Sequence, residues 1–207
     1  MENNNKAGIC VLVSGGGTNL QALIDACASG VITSGEIVAV ISDTEGAYAL
    51  ERAKKAGIPA FTLPKKSYHG DVEAFENDLD RKIKEAGAEL IVLAGFFSIL
   101  SEKFTSRHTR RIINVHPSLI PAFCGKGFYG LRVHEAALAR GVKITGATVH
   151  FVNEIPDGGE IIMQKPVLVR EGDTPEVLQK RVMREAEWVI LPEATEKICR
   201  EILASIK

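Results

Sequence analysis

Apolar residues in this chain gather into short runs ended by glycine or proline, and between those runs they recur every three or four positions. Residues 8–14 (GICVLVS) are such a run, predicting a strand that breaks at Gly15-Gly16-Gly17. Thr18 then stands where it would cap a helix reaching about Ser29. The unit recurs: EIVAVIS (36–42) predicts a strand, 47–56 a helix, and IPAFTL a short strand before Pro64. A longer amphipathic helix is expected over 71–86. AELIVLA (88–94) and RIINVH (111–116) predict two more strands, separated by a short helix from Ser101, and a further helix is expected over 132–140. ITGATVHFV and EIIMQKPVLV read as a hairpin pair joined through NEIPDGG, and a last helix from Thr174 to beyond Cys199 is expected to bend at Pro192.

Strands alternating with helices imply right-handed crossovers. The expected fold is therefore α/β: a Rossmann-like, mostly parallel twisted sheet with helices on both faces and an antiparallel hairpin toward the C-terminus. A length of 207 residues, with 45% hydrophobic and 25% charged, fits one domain over 1–207. The formal net charge of -1 leaves no electrostatic footprint for nucleic acid or an anionic membrane, so an anionic ligand must be held by local features. The polar start MENNNKAGIC lacks the pattern of an export signal, and no apolar run approaches the roughly 20 residues that span a bilayer. A cytoplasmic protein is expected. Cys10, Cys27, Cys124 and Cys199 form no Cys-x-x-Cys pair, and the five His residues lack i, i+4 pairing, so no metal is expected. His69, His108 and His134 sit in polar or helical contexts that read as solvated.

Candidate chemistry lies at the strand ends. Ser14-Gly15-Gly16-Gly17-Thr18-Asn19 lets backbone N–H groups approach a ligand at a helix start, where phosphate is the natural guest; a plain tight turn is the alternative. Leu20 stands where a dinucleotide fingerprint has its third glycine, and no Lys-Ser/Thr pair of a P-loop follows. Asn114-Val115-His116-Pro117 ends a strand, and alternation sends Asn114 and His116 to the same side. The carboxamide suits a developing oxyanion and the imidazole suits proton transfer. Asp157, in Pro156-Asp157-Gly158-Gly159, is either part of a hairpin turn or the partner of His116, in which case it would raise that imidazole's pKa and orient the ring. His150 follows Thr148 on a strand and is either a third pocket residue or a core residue. Leu93 to Leu100 is either a wall for a flat apolar ligand or ordinary core.

The conjunction of SGGGTNLQA, LAGFFSIL, NVHPSLIP, VHFVNEIPDGG and a late E-x5-P resembles the phosphoribosylglycinamide formyltransferase family over nearly the whole chain. The resemblance implies the formyltransferase fold, with a phosphate-binding half over about 7–105 and a catalytic and folate-binding half over about 106–207. It implies transfer of a formyl group from 10-formyltetrahydrofolate, as cosubstrate, to the amine of phosphoribosylglycinamide. It assigns catalysis to Asn114, His116 and Asp157. Ribonucleotide binding is assigned to Gly15, Gly16, Gly17, Thr18 and Asn19 and to Arg184, Glu185, Ala186 and Glu187, with one extra residue preceding Glu187. Folate binding is assigned to Val72, Phe97, Ser98, Ile99, Leu100, Asn114, Asn153, Glu154, Ile155, Pro156 and Asp157. Ser98 and Val72 replace arginines of many members, and Lys126 in FCGKGFYG is a candidate replacement contact. The partners implied are small molecules, with no nucleic acid and no membrane, acting on a monomer or weak homodimer. A formyltetrahydrofolate hydrolase, expected to carry an N-terminal regulatory domain, and a non-catalytic nucleotide sensor are the alternatives; methionyl-tRNA formyltransferase is expected to add an RNA-binding domain.

Overall fold

The computed structural model describes residues 6–205, so residues 1–5 of the polar start read above lie outside the described residues. Strands β1 (Ala7–Val13), β2 (Gly35–Ser42), β3 (Ala60–Thr62), β4 (Leu90–Leu93), β5 (Ile112–His116), β6 (Ile144–Phe151) and β7 (Ile161–Leu168) form one seven-stranded sheet in the order β3-β2-β1-β4-β5-β6-β7. Pairing is parallel from β3 through β5 and antiparallel for β5–β6 and β6–β7. Helices α1 (Thr18–Ser29), α2 (Tyr48–Lys55), α3 (Val72–Glu85), α4 (Glu102–Arg107), α5 (Leu131–Arg140), α6 (Pro175–Val182) and α7 (Trp188–Ser205) cover both faces. No described helix is long and apolar enough to cross a membrane.

The continuous apolar run of β1 follows from its central place, because alternate side chains enter different cores. Ile9, Val11 and Val13 pack with Leu20 and Leu23 of α1 and Ile198 and Ile202 of α7. Cys10 and Leu12 pack with Phe75, Leu79 and Ile83 of α3 and Phe104 of α4. A strand covered on both faces has no polar side to show in its sequence. Asp71 and Ser101 cap α3 and α4, accepting hydrogen bonds from the amides of Ala74 and Phe104.

Three details depart from expectation. Thr18 is not a cap: Gly17, at φ 70°, takes the N-cap position of α1 without a side-chain hydrogen bond. The last helix is interrupted before Pro192, not at it, by a π-turn over Met183–Glu187 that separates α6 from α7. His108 and His134 are not solvated; His108 contacts Asp80 at 2.9 Å, and His134 is fully buried, where desolvation pushes its pKa down to about 4.

The chain leaves β1 toward β2 on one side, while β4 pairs on the other, so a topological switch point opens between β1 and β4. Ligands of open α/β sheets bind beyond the carboxyl ends of strands at such a point. There the Ser14 amide donates to the Gly95 carbonyl (2.9 Å), and the Phe97 amide donates to Ser14 Oγ (2.9 Å). The glycine loop after β1 and the apolar segment after β4 thus share one wall, with His116 ending the next strand.

Candidate active site

The glycine loop is tied down on its outer side. The Gly15 carbonyl accepts from the Ala49 amide (3.0 Å) and the Gly16 carbonyl from Arg52 Nε (2.8 Å). Gly17 is required by the fold itself: besides its positive φ, a Cβ there would stand 2.6 Å from the Ala49 Cβ. Gly15 and Gly16 differ, since a Cβ on either meets open space. The plain-turn reading therefore accounts for Gly17, while Gly15 and Gly16 leave backbone open at the start of a twelve-residue helix with no acidic residue in its first turn. Such a helix start favours an anion.

Directly behind the loop, Asn19 Nδ2 donates to Glu187 Oε2 at 2.8 Å across 168 residues of sequence. Asn19 Oδ1 is buried without a partner. Buried polar atoms are rarely left unpaired, so this acceptor is a place for a ligand donor. Glu187 is buried, and desolvation, opposed by the Asn19 hydrogen bond, raises its pKa to about 7. The π-turn brings it there. Such a turn takes up one residue more than an α-helical turn, which accommodates the extra residue before Glu187. Of the four residues expected on this side, only Glu187 reaches the glycine loop: Arg184 and Glu185 are exposed, and Ala186 is buried in the apolar core.

The second half of the site is built on β5 and β6. Antiparallel register sets Asn114 opposite His150 and His116 opposite Thr148. The carbonyl of Phe151 can only accept, so His150 Nδ1 donates to it (2.7 Å), and Nε2 lies 3.2 Å from Asn114 Nδ2. By the same argument His116 Nε2 donates to the Phe123 carbonyl at 2.8 Å. Its other nitrogen, Nδ1, faces Asp157 Oδ2 at 3.4 Å, and Asp157 Oδ1 lies 3.5 Å from His150 Nε2. Asp157 itself sits at φ 56° and accepts from the Gly125 amide at 2.8 Å. The loop after Pro121 therefore holds both members of the His116–Asp157 pair from its backbone, whereas Lys126, suggested as a contact, stays exposed outside the cleft.

The electrostatics reverse one expectation. His116 is almost wholly buried, and that desolvation lowers its pKa despite the opposing pull of Asp157 and the Phe123 carbonyl. Asp157 is also desolvated, but the contact with His150, the neighbouring His116 and the Gly125 amide outweigh burial and lower its pKa. At neutral pH the pair is a neutral imidazole beside a carboxylate, not the imidazolium the sequence suggested.

Between these groups and the apolar wall lies a cleft of about 100 Å³, lined among others by Phe96, Ser98, Ile99, Leu100, Asn114 and His150 and by residues 152–157. Asn153, Glu154, Ile155, Pro156 and Asp157 all line it. Phe97, between the lining residues Phe96 and Ser98, and Val72, at the start of α3, do not line it. Ser98 donates to Asp43 Oδ2 at 2.6 Å, tying the wall to the end of β2. His150, which the sequence left open, lines the same cleft; its placement two residues after Thr148 on a strand was the available signal. No group of three or more His, Cys, Asp or Glu that could hold a metal ion occurs among the described residues.

A family model described as formyl transferase matches residues 7–195. The trifunctional purine biosynthetic protein adenosine-3 of Gallus gallus is 43% identical over 94% of this chain, which spans only 18% of that longer protein. Phosphoribosylglycinamide formyltransferase of Haemophilus influenzae is 42% identical over 89% of this chain and 83% of its own length. Among solved structures, glycinamide ribonucleotide transformylase 1 from Symbiobacterium toebii superposes with a TM-score of 0.88 at 41% identity, covering 96% of this chain and 90% of that one.

Proposed function

The chain belongs to the formyl transferase family, and from that premise we propose that it transfers the formyl group of 10-formyltetrahydrofolate to the amine of phosphoribosylglycinamide, a step of purine synthesis. The observation that carries the reading is the meeting, at one switch point, of an anion-ready glycine loop and the Asn114, His116, Asp157 cluster. The phosphate would lie on Gly15 and Gly16 at the start of α1, and Asn19 with Glu187 would take polar groups of the same ribonucleotide. The flat carrier would enter the cleft along Ile99, Leu100 and residues 153–157.

In the proposed reaction the amine nitrogen attacks the formyl carbon, the carbon–nitrogen bond to the carrier breaks, and the proton released by the amine passes to the carrier nitrogen. Asn114 donates to the formyl oxygen as it gains charge, and His150, in contact with the same carboxamide, helps hold it in place. Neutral His116 takes the proton at Nδ1, where Asp157 stabilises the cation formed, and returns it to the leaving nitrogen. We place this reaction in the cytoplasm, on a monomer or weak homodimer, without a metal.

The test is an absorbance assay of 10-formyltetrahydrofolate consumption with and without phosphoribosylglycinamide. Ribonucleotide-dependent turnover, reduced by about 10²- to 10⁴-fold in His116→Ala, is the expected result. Turnover independent of the ribonucleotide would replace the transferase with a hydrolase.

A further inference from the structure

Phe97, Ile99, Tyr129 and Ile155 are all more than half exposed, although their burial would stabilise the fold. Ile99 and Ile155 line the cleft, and Phe97 lies between the lining residues Phe96 and Ser98. Tyr129 comes from the loop after Pro121 and meets Phe97, with ring centroids 6.4 Å apart and planes tilted by 55°. An apolar rim around a polar reaction centre has no part in either core, and clustered exposed apolar groups of this kind mark ligand contact.

Both residues are carried by segments whose backbone is tied to the site. Phe97 hangs from Ser14 Oγ immediately before the glycine loop. Tyr129 ends the loop whose Phe123 carbonyl holds His116 and whose Gly125 amide holds Asp157. Arg132 lies 4.9 Å over the outer face of the Tyr129 ring system, a cation–π contact that steadies it. The pair thus links the segment beside the glycine loop to the loop that holds His116 and Asp157, next to the cleft.

Neither Asn114 nor His116 distinguishes an amine from water. In transfer, the amine nitrogen bonds to the formyl carbon; in hydrolysis, water oxygen does so. In both, the same carrier carbon–nitrogen bond breaks and the acceptor's proton goes to the carrier nitrogen, with formate as the second product of hydrolysis. The outcome depends on which acceptor reaches the carbon. We propose that Phe97 and Tyr129 form an aromatic gate that excludes water from the bound formyl group and so sets the acceptor specificity of this enzyme. The inference rests on the formyl-transfer reading above, and excluding water from reactive groups is a recognised function of a closed site.

The experiment compares the intact wild-type enzyme with Phe97→Ala, Tyr129→Ala and Tyr129→Phe, measuring formate and formylated ribonucleotide from the same reaction. The ratio of formate to transfer product is expected to rise about tenfold in each alanine variant, the scale of losing one aromatic contact. Tyr129→Phe, which keeps the ring, is expected to retain the wild-type ratio. Because both side chains are largely exposed, their truncation opens no core cavity, and thermal unfolding verifies the fold. An unchanged ratio in both alanine variants overturns the gate, even where the two rates fall together. Absence of ribonucleotide-dependent transfer in the wild type would instead overturn the reading on which the gate rests.

Discussion

Replacing Glu187 by Gln isolates the energetic consequence of burying a carboxyl beside the glycine loop. Below about pH 4.5 the group is neutral in both the folded and the unfolded chain. Between 4.5 and about 7 the unfolded chain releases the proton while the folded one keeps it, so the unfolded state binds fewer protons and stability falls as pH rises. Above about 7 the folded protein carries the full cost, and a pKa raised from 4.5 to about 7 corresponds to about 3 kcal/mol. Glutamine is uncharged throughout, and its side-chain oxygen can still accept from Asn19 Nδ2. Glu187→Gln should therefore lie within about 1 kcal/mol of wild type at pH 5 and exceed it by about 3 kcal/mol at pH 8. For a chain of this size that corresponds to a Tm gain of roughly 6–12 °C at pH 8. Urea and thermal unfolding followed by circular dichroism at the two pH values measure it. The same variant should show a raised KM for the ribonucleotide, since stability is sacrificed where a ligand is held. Equal stability of the two proteins at pH 8, or a difference that does not grow between pH 5 and 8, would refute the reasoning.

Burial holds the His116 pKa below 6.5, so kcat at saturating ribonucleotide should rise with pH along a limb below that value. Asp157→Asn should move the limb to lower pH, because the carboxylate favours the imidazolium; a pH–rate profile in which the limb moves upward contradicts this. Asn114→Ala should lower kcat by about 10²- to 10³-fold with little change in Tm, read by steady-state kinetics beside thermal melts. Gly17→Ala should cost about 2–4 kcal/mol, from left-handed backbone and the clash with Ala49, whereas Gly16→Ala should stay within about 0.5 kcal/mol of wild type and instead weaken ribonucleotide binding. Equal destabilisation by the two substitutions in urea titrations would remove the distinction between a turn glycine and a ligand glycine.

The strands and most of the helices were legible because their signals are local. A run such as GICVLVS has few alternatives once glycines end it, and Asp71 and Ser101 announce α3 and α4 through chemistry confined to three or four residues. Alternation along β5 was likewise enough to put Asn114 and His116 on one side. The ends of the last helix were harder: Pro192 drew the break toward itself, while the actual interruption is a π-turn over Met183–Glu187 that no propensity marks.

What the tertiary structure alone decided is proximity and burial. The contact of Asn19 with Glu187, of His116 with both Phe123 and Asp157, and of His150 with Asn114 depends on strand order and on loops returning from distant segments. Val72 does not line the cleft, and Arg184 is exposed on the same turn that buries Glu187 against Asn19, because which residue of a turn is buried is set by packing and not by spacing. The charge of His116 shows the same division. A carboxylate in the sequence suggests an imidazolium, but desolvation grows with every neighbour that the fold packs around the ring, and only the folded chain determines which effect is larger.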